Sequence, residues 1–197
     1  MSSARVEPAY DGVAIALHWL IALGVVALGV IGFSMTRLTL STLQQFELYQ
    51  LHKSIGVTVL LAVLLRILWR LSHRPPPLPD AMPEAERRAA KAAHIGLYGA
   101  MLLAPLTGWA VVSASPYNIP TVLFGVLPWP HLPFFAEIEN KAPVEAAFKL
   151  AHHLCVYALL ALVAVHAAAA LRHALVLRDG VLARMLPASR NTRKQNS

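Results

Sequence analysis

The amino-acid sequence predicts an all-α fold, specifically a four-helix transmembrane bundle, and two observations support this prediction. The first is composition: 57% of the 197 residues are hydrophobic and only 14% are charged, whereas about a quarter of the residues in a soluble domain are charged. The second is the presence of four apolar stretches long enough to cross a bilayer, which takes ~20 residues. We expect one membrane domain over residues 1–197, with spans at about 13–35, 48–71, 92–115 and 150–171.

Three of these stretches contain no Asp, Glu, Lys or Arg, and the second is the exception. In the span at 48–71, Lys53 and Arg70 lie near the ends, where long basic side chains can reach the interface. Arg66 lies deeper in the same span and needs a separate explanation. The first span is too long for a signal peptide and no cleavage motif follows it, so we expect it to be retained.

The distribution of basic residues predicts the orientation of the bundle. Thirteen of the 17 lysines and arginines fall on the side of the N-terminal tail, the second connection and the C-terminal tail. By the positive-inside rule both termini lie in the cytoplasm. Residues 116–147 then form an outer, periplasmic connection whose aromatic residues suit a cap at the membrane interface, and residues 172–197 form a basic cytoplasmic tail. The net charge of +7 follows from this sidedness, so we expect no nucleic-acid partner.

Histidines inside the predicted spans are the main functional signal, because an ionisable side chain in hydrocarbon is costly and usually functional. His152 and His166 are 14 residues apart, which places them on one face of a helix and about 21 Å apart along its axis. His166 matches His18 in depth near the inner side, and His152 matches His52 near the outer side. The pattern predicts two histidine pairs, one in each leaflet, with the fourth span contributing to both.

Two neutral imidazoles at one depth suit the axial ligation of haem iron. Zinc sites need additional ligands, and proton relays in membranes normally use acidic residues, which these spans lack at depth. Haem iron is commonly held by histidine, and cofactors of helix bundles are bound by side chains on facing helices. The single cysteine, Cys155, excludes a Cys-x-x-Cys-His site for covalent haem. For any one histidine, a hydrogen bond to a neighbouring helix is the alternative.

Three further residues have open roles near the inner pair. His94 lies at the inner end of the third span, where we expect it to support the site or a helix interface, with ligation as the alternative. Arg66 lies 14 residues after His52 and near the level of His166. There it would pair with a haem propionate or raise the potential of the inner haem; the alternative is an arginine that extends to the membrane boundary. Arg172 is a second candidate for the same role.

At these residues the chain resembles the prokaryotic cytochrome b561 family of four-helix, di-haem proteins of the bacterial inner membrane. The matching motifs cover all four spans: ALHWL (16–20), LHKSIG (51–56), LLRILWR (64–70), HIGLYGAMLLAPLTG (94–108), LAHHL (150–154) and HAAAAL (166–171). The resemblance implies two haem b groups, with His18 and His166 as the inner ligands and His52 and His152 as the outer ones. It also implies electron transfer between quinone, in particular ubiquinone, and a second redox partner.

One type within this family is similar to a superoxide:ubiquinone oxidoreductase, and the sequence offers a physical reason to consider that activity. Lys53 and Lys149 flank the outer ligands, and cations near an exposed haem would steer an anion toward it. The alternative is that both lysines are interface anchors. Two other functions stay open: a cytochrome b anchor subunit of a hydrogenase or formate dehydrogenase, and a transporter of metal ions or protons.

Overall fold

The computed structural model describes residues 9–79 and 82–186, and it confirms the all-α four-helix bundle. Its long helices are α1 (Gly12–Arg37), α2 (Thr42–Ser72), α3 (Glu84–Ser113) and α4 (Lys141–Arg172). Within the described residues, each of the four is long and apolar enough to cross a membrane. Pro105 lies inside α3, where it removes one helical hydrogen bond because proline has no backbone N–H.

The helices extend beyond the stretches that apolar composition marks out. α2 begins at Thr42 rather than near residue 48, α3 at Glu84 rather than near 92, and α4 at Lys141 rather than near 150. The start of α2 illustrates the reason, since Ser41 caps the helix and Gln44 completes a reciprocal capping box. Capping residues decide where a helix begins, whereas hydropathy reports only the part that avoids water.

The helices pack in the order α1 against α2, α2 against α3, and α3 against α4. Their shared core is aliphatic and is formed by Ile21, Val25, Val59, Val63, Ala104 and Leu159 among others. Large apolar side chains on the opposite faces are exposed, including Leu23 and Leu68. Such continuous apolar exposure is rare on soluble monomers, and in a membrane these faces contact the lipid chains.

The outer connection folds as a small cap on α2 and α3. It contains a hairpin of two short antiparallel strands, β1 (Thr121–Leu123) and β2 (Leu127–Trp129), followed by a 3₁₀ turn. The Phe124 N–H donates to the Ser54 hydroxyl at 2.9 Å, and the Leu132 N–H donates to the Ser113 hydroxyl at 2.9 Å. Strands of three residues are too short to give a periodic signal, so the sequence did not predict this hairpin.

The inner end of the bundle is covered by the beginning of the C-terminal tail. After α4, one turn of π-helix (His173–Leu177) precedes a reversal of the chain toward α1. The Trp19 indole N–H donates to the Met185 carbonyl at 2.8 Å, and the Arg184 guanidinium donates to the Pro77 carbonyl at 2.7 Å. The remainder of the predicted basic tail, with Arg190, Arg193 and Lys194, lies outside the described residues.

Candidate functional site

The four predicted ligands lie in two pairs between the helices. The ring centres of His18 on α1 and His166 on α4 are 6.2 Å apart, and those of His52 on α2 and His152 on α4 are 6.4 Å apart. Metal–imidazole bonds of about 2.0–2.1 Å, extended by half a ring on each side, separate two ring centres by roughly 6 Å. The spacing of both pairs therefore fits one metal atom held between two imidazoles.

The outer pair borders a cavity of about 630 Å³ to which all four helices contribute. Its wall is mostly apolar and includes His52, His152, Gly29, Gly32 and Gly56. Cofactor pockets in proteins are concave and apolar, with a few polar groups that fix the ligand. A flat, apolar macrocycle with a polar iron at its centre matches that description.

Hydrogen bonding determines which nitrogen of His152 is available to a metal. His152 Nδ1 lies 2.9 Å from the Ala104 carbonyl oxygen and 3.3 Å from the Thr107 hydroxyl. Because a carbonyl only accepts, Nδ1 must carry the hydrogen, and the lone pair of the neutral ring is then on Nε2. Metal-ligating histidines commonly donate their other ring N–H to a carbonyl in this way.

His52 lacks the corresponding support. Its Nδ1 is buried without a hydrogen-bond partner among the described residues. A buried polar atom of this kind costs about 1–3 kcal/mol and calls for an explanation. Within the described residues, neither ring nitrogen of His52 forms a hydrogen bond, so both are available to a group bound in the adjoining cavity.

Two glycines give the outer imidazoles room, and neither position stands out in the sequence. A Cβ atom at Gly108 would lie 3.1 Å from His152 Cε1, and one at Gly32 would lie 3.5 Å from His52 Cε1. The signal in the sequence is weak, because small residues are common wherever membrane helices meet. Only the packing shows that these two positions face the ligand pair.

The inner cluster contains a third imidazole. The ring centre of His94 on α3 is 5.6 Å from that of His166, which is as close as His18. The centre of the Trp19 ring lies 5.4 Å from that of His18. His166 thus has two histidine neighbours at ligating distance, and both roles considered for His94 fit its position.

The two arginines proposed to serve the inner site have different surroundings. The Arg66 guanidinium donates to the Tyr98 hydroxyl at 3.1 Å and to the Ala14 carbonyl at 2.6 Å. Both acceptors are neutral, so neither offsets the charge of Arg66, and Ala14 lies one turn before His18 on α1. Arg172 instead forms an ion pair with Glu86 at 3.4 Å on the inner surface.

The basic residues of the outer side also differ from one another. Lys149 forms an ion pair with Glu145 at 3.0 Å, which offsets its charge. Lys53 donates to the neutral Pro120 carbonyl at 3.4 Å, and Arg37 lines the outer cavity. Within the described residues, no acidic group pairs with Lys53 or Arg37, whereas Glu145 pairs with Lys149.

A bundle of membrane helices with paired imidazoles facing an apolar cavity defines the class of membrane haem b proteins that transfer electrons. The comparisons with known proteins specify the family. The sequence model of prokaryotic cytochrome b561 matches residues 9–188. The chain is also 31% identical over 187 residues to cytochrome b561 homolog 2 of Escherichia coli strain K12, covering 94% of this chain and 95% of that relative.

The chain therefore belongs to the prokaryotic cytochrome b561 family, as its motifs predicted. It is a multi-pass protein of a bacterial membrane that binds haem b and transfers electrons. Because family members bind haem, the alternative of a metal or proton transporter is set aside.

Proposed function

We propose that the chain holds two haem b groups, one in each half of the bilayer, and passes electrons between them. His18 and His166 bind the inner haem, and His52 and His152 bind the outer one. The observation that supports this most is the matched spacing of the two imidazole pairs, 6.2 and 6.4 Å. The 14-residue interval on α4 separates its two histidines by about 21 Å.

When bound, each haem supplies an iron that gains and loses one electron reversibly. The protein holds the imidazoles, fixes the tautomer of His152 through Ala104, and excludes water with aliphatic side chains. Arg66 places a positive charge beside the inner pair, where it binds a propionate or favours the reduced iron. Arg172 is the weaker candidate for this role because Glu86 already pairs with it.

The electron acceptor in this proposal is ubiquinone dissolved in the bacterial inner membrane, and the donor approaches from the periplasmic side. Superoxide is the donor that the outer cations favour, since Lys53 and Arg37 would attract a small anion to the cavity. Two superoxide ions release two electrons and form two molecules of oxygen, and ubiquinone takes up those electrons with two protons. Both chain termini lie in the cytoplasm in this arrangement.

Haem content is the first test. A reduced-minus-oxidised spectrum and a haem assay on the purified protein should give two b-type haems per chain. One haem per chain would overturn the two-site proposal, and its spectrum in histidine variants would identify the pair that remains.

Stopped-flow mixing is the second test. Superoxide should reduce the haems, and added ubiquinone should reoxidise them. The rate of haem reduction by superoxide should decrease as the salt concentration rises. At one salt concentration, this rate should be lower in Lys53→Gln than in Lys149→Gln. Reduction that does not depend on salt or on Lys53 would exclude steering by these cations.

The remaining alternative is a cytochrome b anchor subunit for a hydrogenase or formate dehydrogenase. It predicts that a large soluble subunit copurifies with the chain under mild detergent. Quinone reduction by the isolated protein with superoxide as the donor would instead support an independent oxidoreductase.

A further inference from the structure

A second cavity lies at the inner end of the bundle and shares Arg66 with the inner histidine cluster. It has a volume of about 390 Å³ and lies between the start of α1, the end of α2 and the segment that follows α2. Among the described residues that line it, none is one of the four proposed haem ligands. Arg66 is shared with the inner pair in the proposed function, whereas Arg70, Arg74 and the rest of the lining have no role in it.

Positive charge dominates the lining. Arg66, Arg70 and Arg74 all contribute to it, and within the described part of the chain none of the three forms an ion pair. Arg66 donates to neutral acceptors, and the guanidinium carbon of Arg70 lies 5.9 Å from the centre of the Tyr98 ring. The guanidinium group binds phosphate oxygens in a two-pronged geometry.

The cavity also contains the carboxylate of Asp11, which is already satisfied by neutral donors. The Ala14 N–H donates to it at 2.9 Å, and the Trp69 indole donates to both of its oxygens at 3.1 Å. These hydrogen bonds lower the pKa of Asp11 below its ordinary value, so the group stays ionised. Three guanidinium groups still face one carboxylate, which leaves an excess of positive charge.

We propose that this cavity binds the phosphate headgroup of an anionic phospholipid. The position favours a lipid over a soluble anion, because the cavity lies between helix ends at the membrane boundary. Trp69 stacks on His73 with ring centres 3.9 Å apart and forms a flat, apolar wall, as aromatic residues do at membrane interfaces. Basic pockets between transmembrane helices on the cytoplasmic side are known to bind such headgroups.

The test compares two double variants of the haem-loaded protein that lose the same charge. Arg70→Gln/Arg74→Gln changes the cavity, and Arg88→Gln/Lys91→Gln is the control, since both of its residues lie on α3, are exposed and do not line the cavity. Native mass spectrometry measures the binding of cardiolipin, phosphatidylglycerol and phosphatidylcholine to each protein. We expect the cavity variant to bind the two anionic lipids about thirtyfold more weakly, and the control to match the wild type.

Three outcomes would overturn the proposal. Equal loss of lipid in both variants would mean that diffuse surface charge attracts it. Displacement of bound phosphatidylglycerol by millimolar inorganic phosphate would indicate a site for a soluble anion. Loss of haem or an altered haem spectrum in Arg70→Gln/Arg74→Gln would assign the arginines to haem propionates instead.

Discussion

The outer and inner histidine sites share helix α4 but are constructed differently. The outer site has two imidazoles, one of which is oriented by a backbone carbonyl, and glycines face both rings. The inner site has three imidazoles near one another and an arginine beside them. At the outer site a hydrogen bond thus orients His152. The inner site instead has a third histidine, one more than a metal atom held between two imidazoles needs.

Basic residues near the two sites bear on the reduction potential of a haem held there. A positive charge near a haem favours the reduced iron, which carries one positive charge fewer than the oxidised form. Arg66 supplies such a charge at the inner site, and Arg37 supplies one at the outer cavity. Lys149 contributes less, because Glu145 offsets its charge.

Removing one ligand from each site gives the largest expected difference. His52→Ala should lose the outer haem and about half of the haem absorbance. His18→Ala should retain much of its inner haem with an altered spectrum, because His94 lies 5.6 Å from His166 and can take the vacant position. Haem-to-protein ratios and low-temperature spectra would measure both effects.

The double variant His18→Ala/His94→Ala serves as the control and should lose the inner haem completely. If His18→Ala alone loses it just as completely, His94 is a supporting residue rather than a reserve ligand.

A graded series of glycine substitutions tests how tightly the outer site is packed. Gly108→Ala should weaken retention of the outer haem, because the new Cβ would press on His152 at 3.1 Å. Gly32→Ala should have a smaller effect, since its contact with His52 at 3.5 Å is ordinary. Overpacking of this kind typically costs 1–3 kcal/mol.

Gly99→Ala is the matched control on α3, since nothing lies within 4 Å of its added Cβ. The fraction of haem lost during gel filtration ranks the three variants by how strongly each substitution weakens haem binding. Equal haem loss in Gly99→Ala and Gly108→Ala would point to a general effect of removing glycine from the helix.

A smaller effect should follow from Thr107→Val, which removes the hydroxyl 3.3 Å from His152 Nδ1. The Ala104 carbonyl remains as the main acceptor, so ligation persists, but the imidazole becomes a slightly poorer electron donor. We expect the midpoint potential of the outer haem to rise by a small amount while that of the inner haem stays constant. A redox titration that shows equal shifts in both haems would contradict this assignment.

The smallest effect concerns the inner end, where Asp11 caps α1. Hydrogen bonds from the Ala14 N–H and the Trp69 indole lower the pKa of Asp11 from its ordinary value of 3.8. Folding therefore gains stability from the ionised carboxylate above about pH 4, and that gain disappears as the pH falls through the lowered pKa. Melting curves of wild type and Asp11→Asn should differ at pH 6 and converge toward pH 3, and a constant difference would exclude the carboxylate charge as its cause.

The sequence predicted the bundle and the candidate ligands because both follow from helical spacing and depth. Hydropathy located the spans, and the 14-residue interval placed His152 and His166 on one face of α4. The supporting contacts depend on which faces meet, and a single sequence does not encode that in a local pattern. This is why Gly32, Gly108 and the Ala104 carbonyl emerged only from the packing.

His94 is a second example of a feature that the sequence predicts only in part. Its depth was evident from the sequence, but its distance from His166 depends on how α3 and α4 pack. Likewise, the pairing of Arg172 with Glu86 joins residues far apart in the chain and has no periodic signature.

The hydroxyl of Ser54 connects the outer hairpin with the helix that carries His52. Ser54 is fully buried, accepts from the hairpin at Phe124 and donates to the Gln50 carbonyl within α2. His52 lies on the same helical turn. One hydroxyl therefore joins the hairpin to the helical turn that carries His52, so a displacement of the hairpin would be transmitted to the position of this proposed ligand.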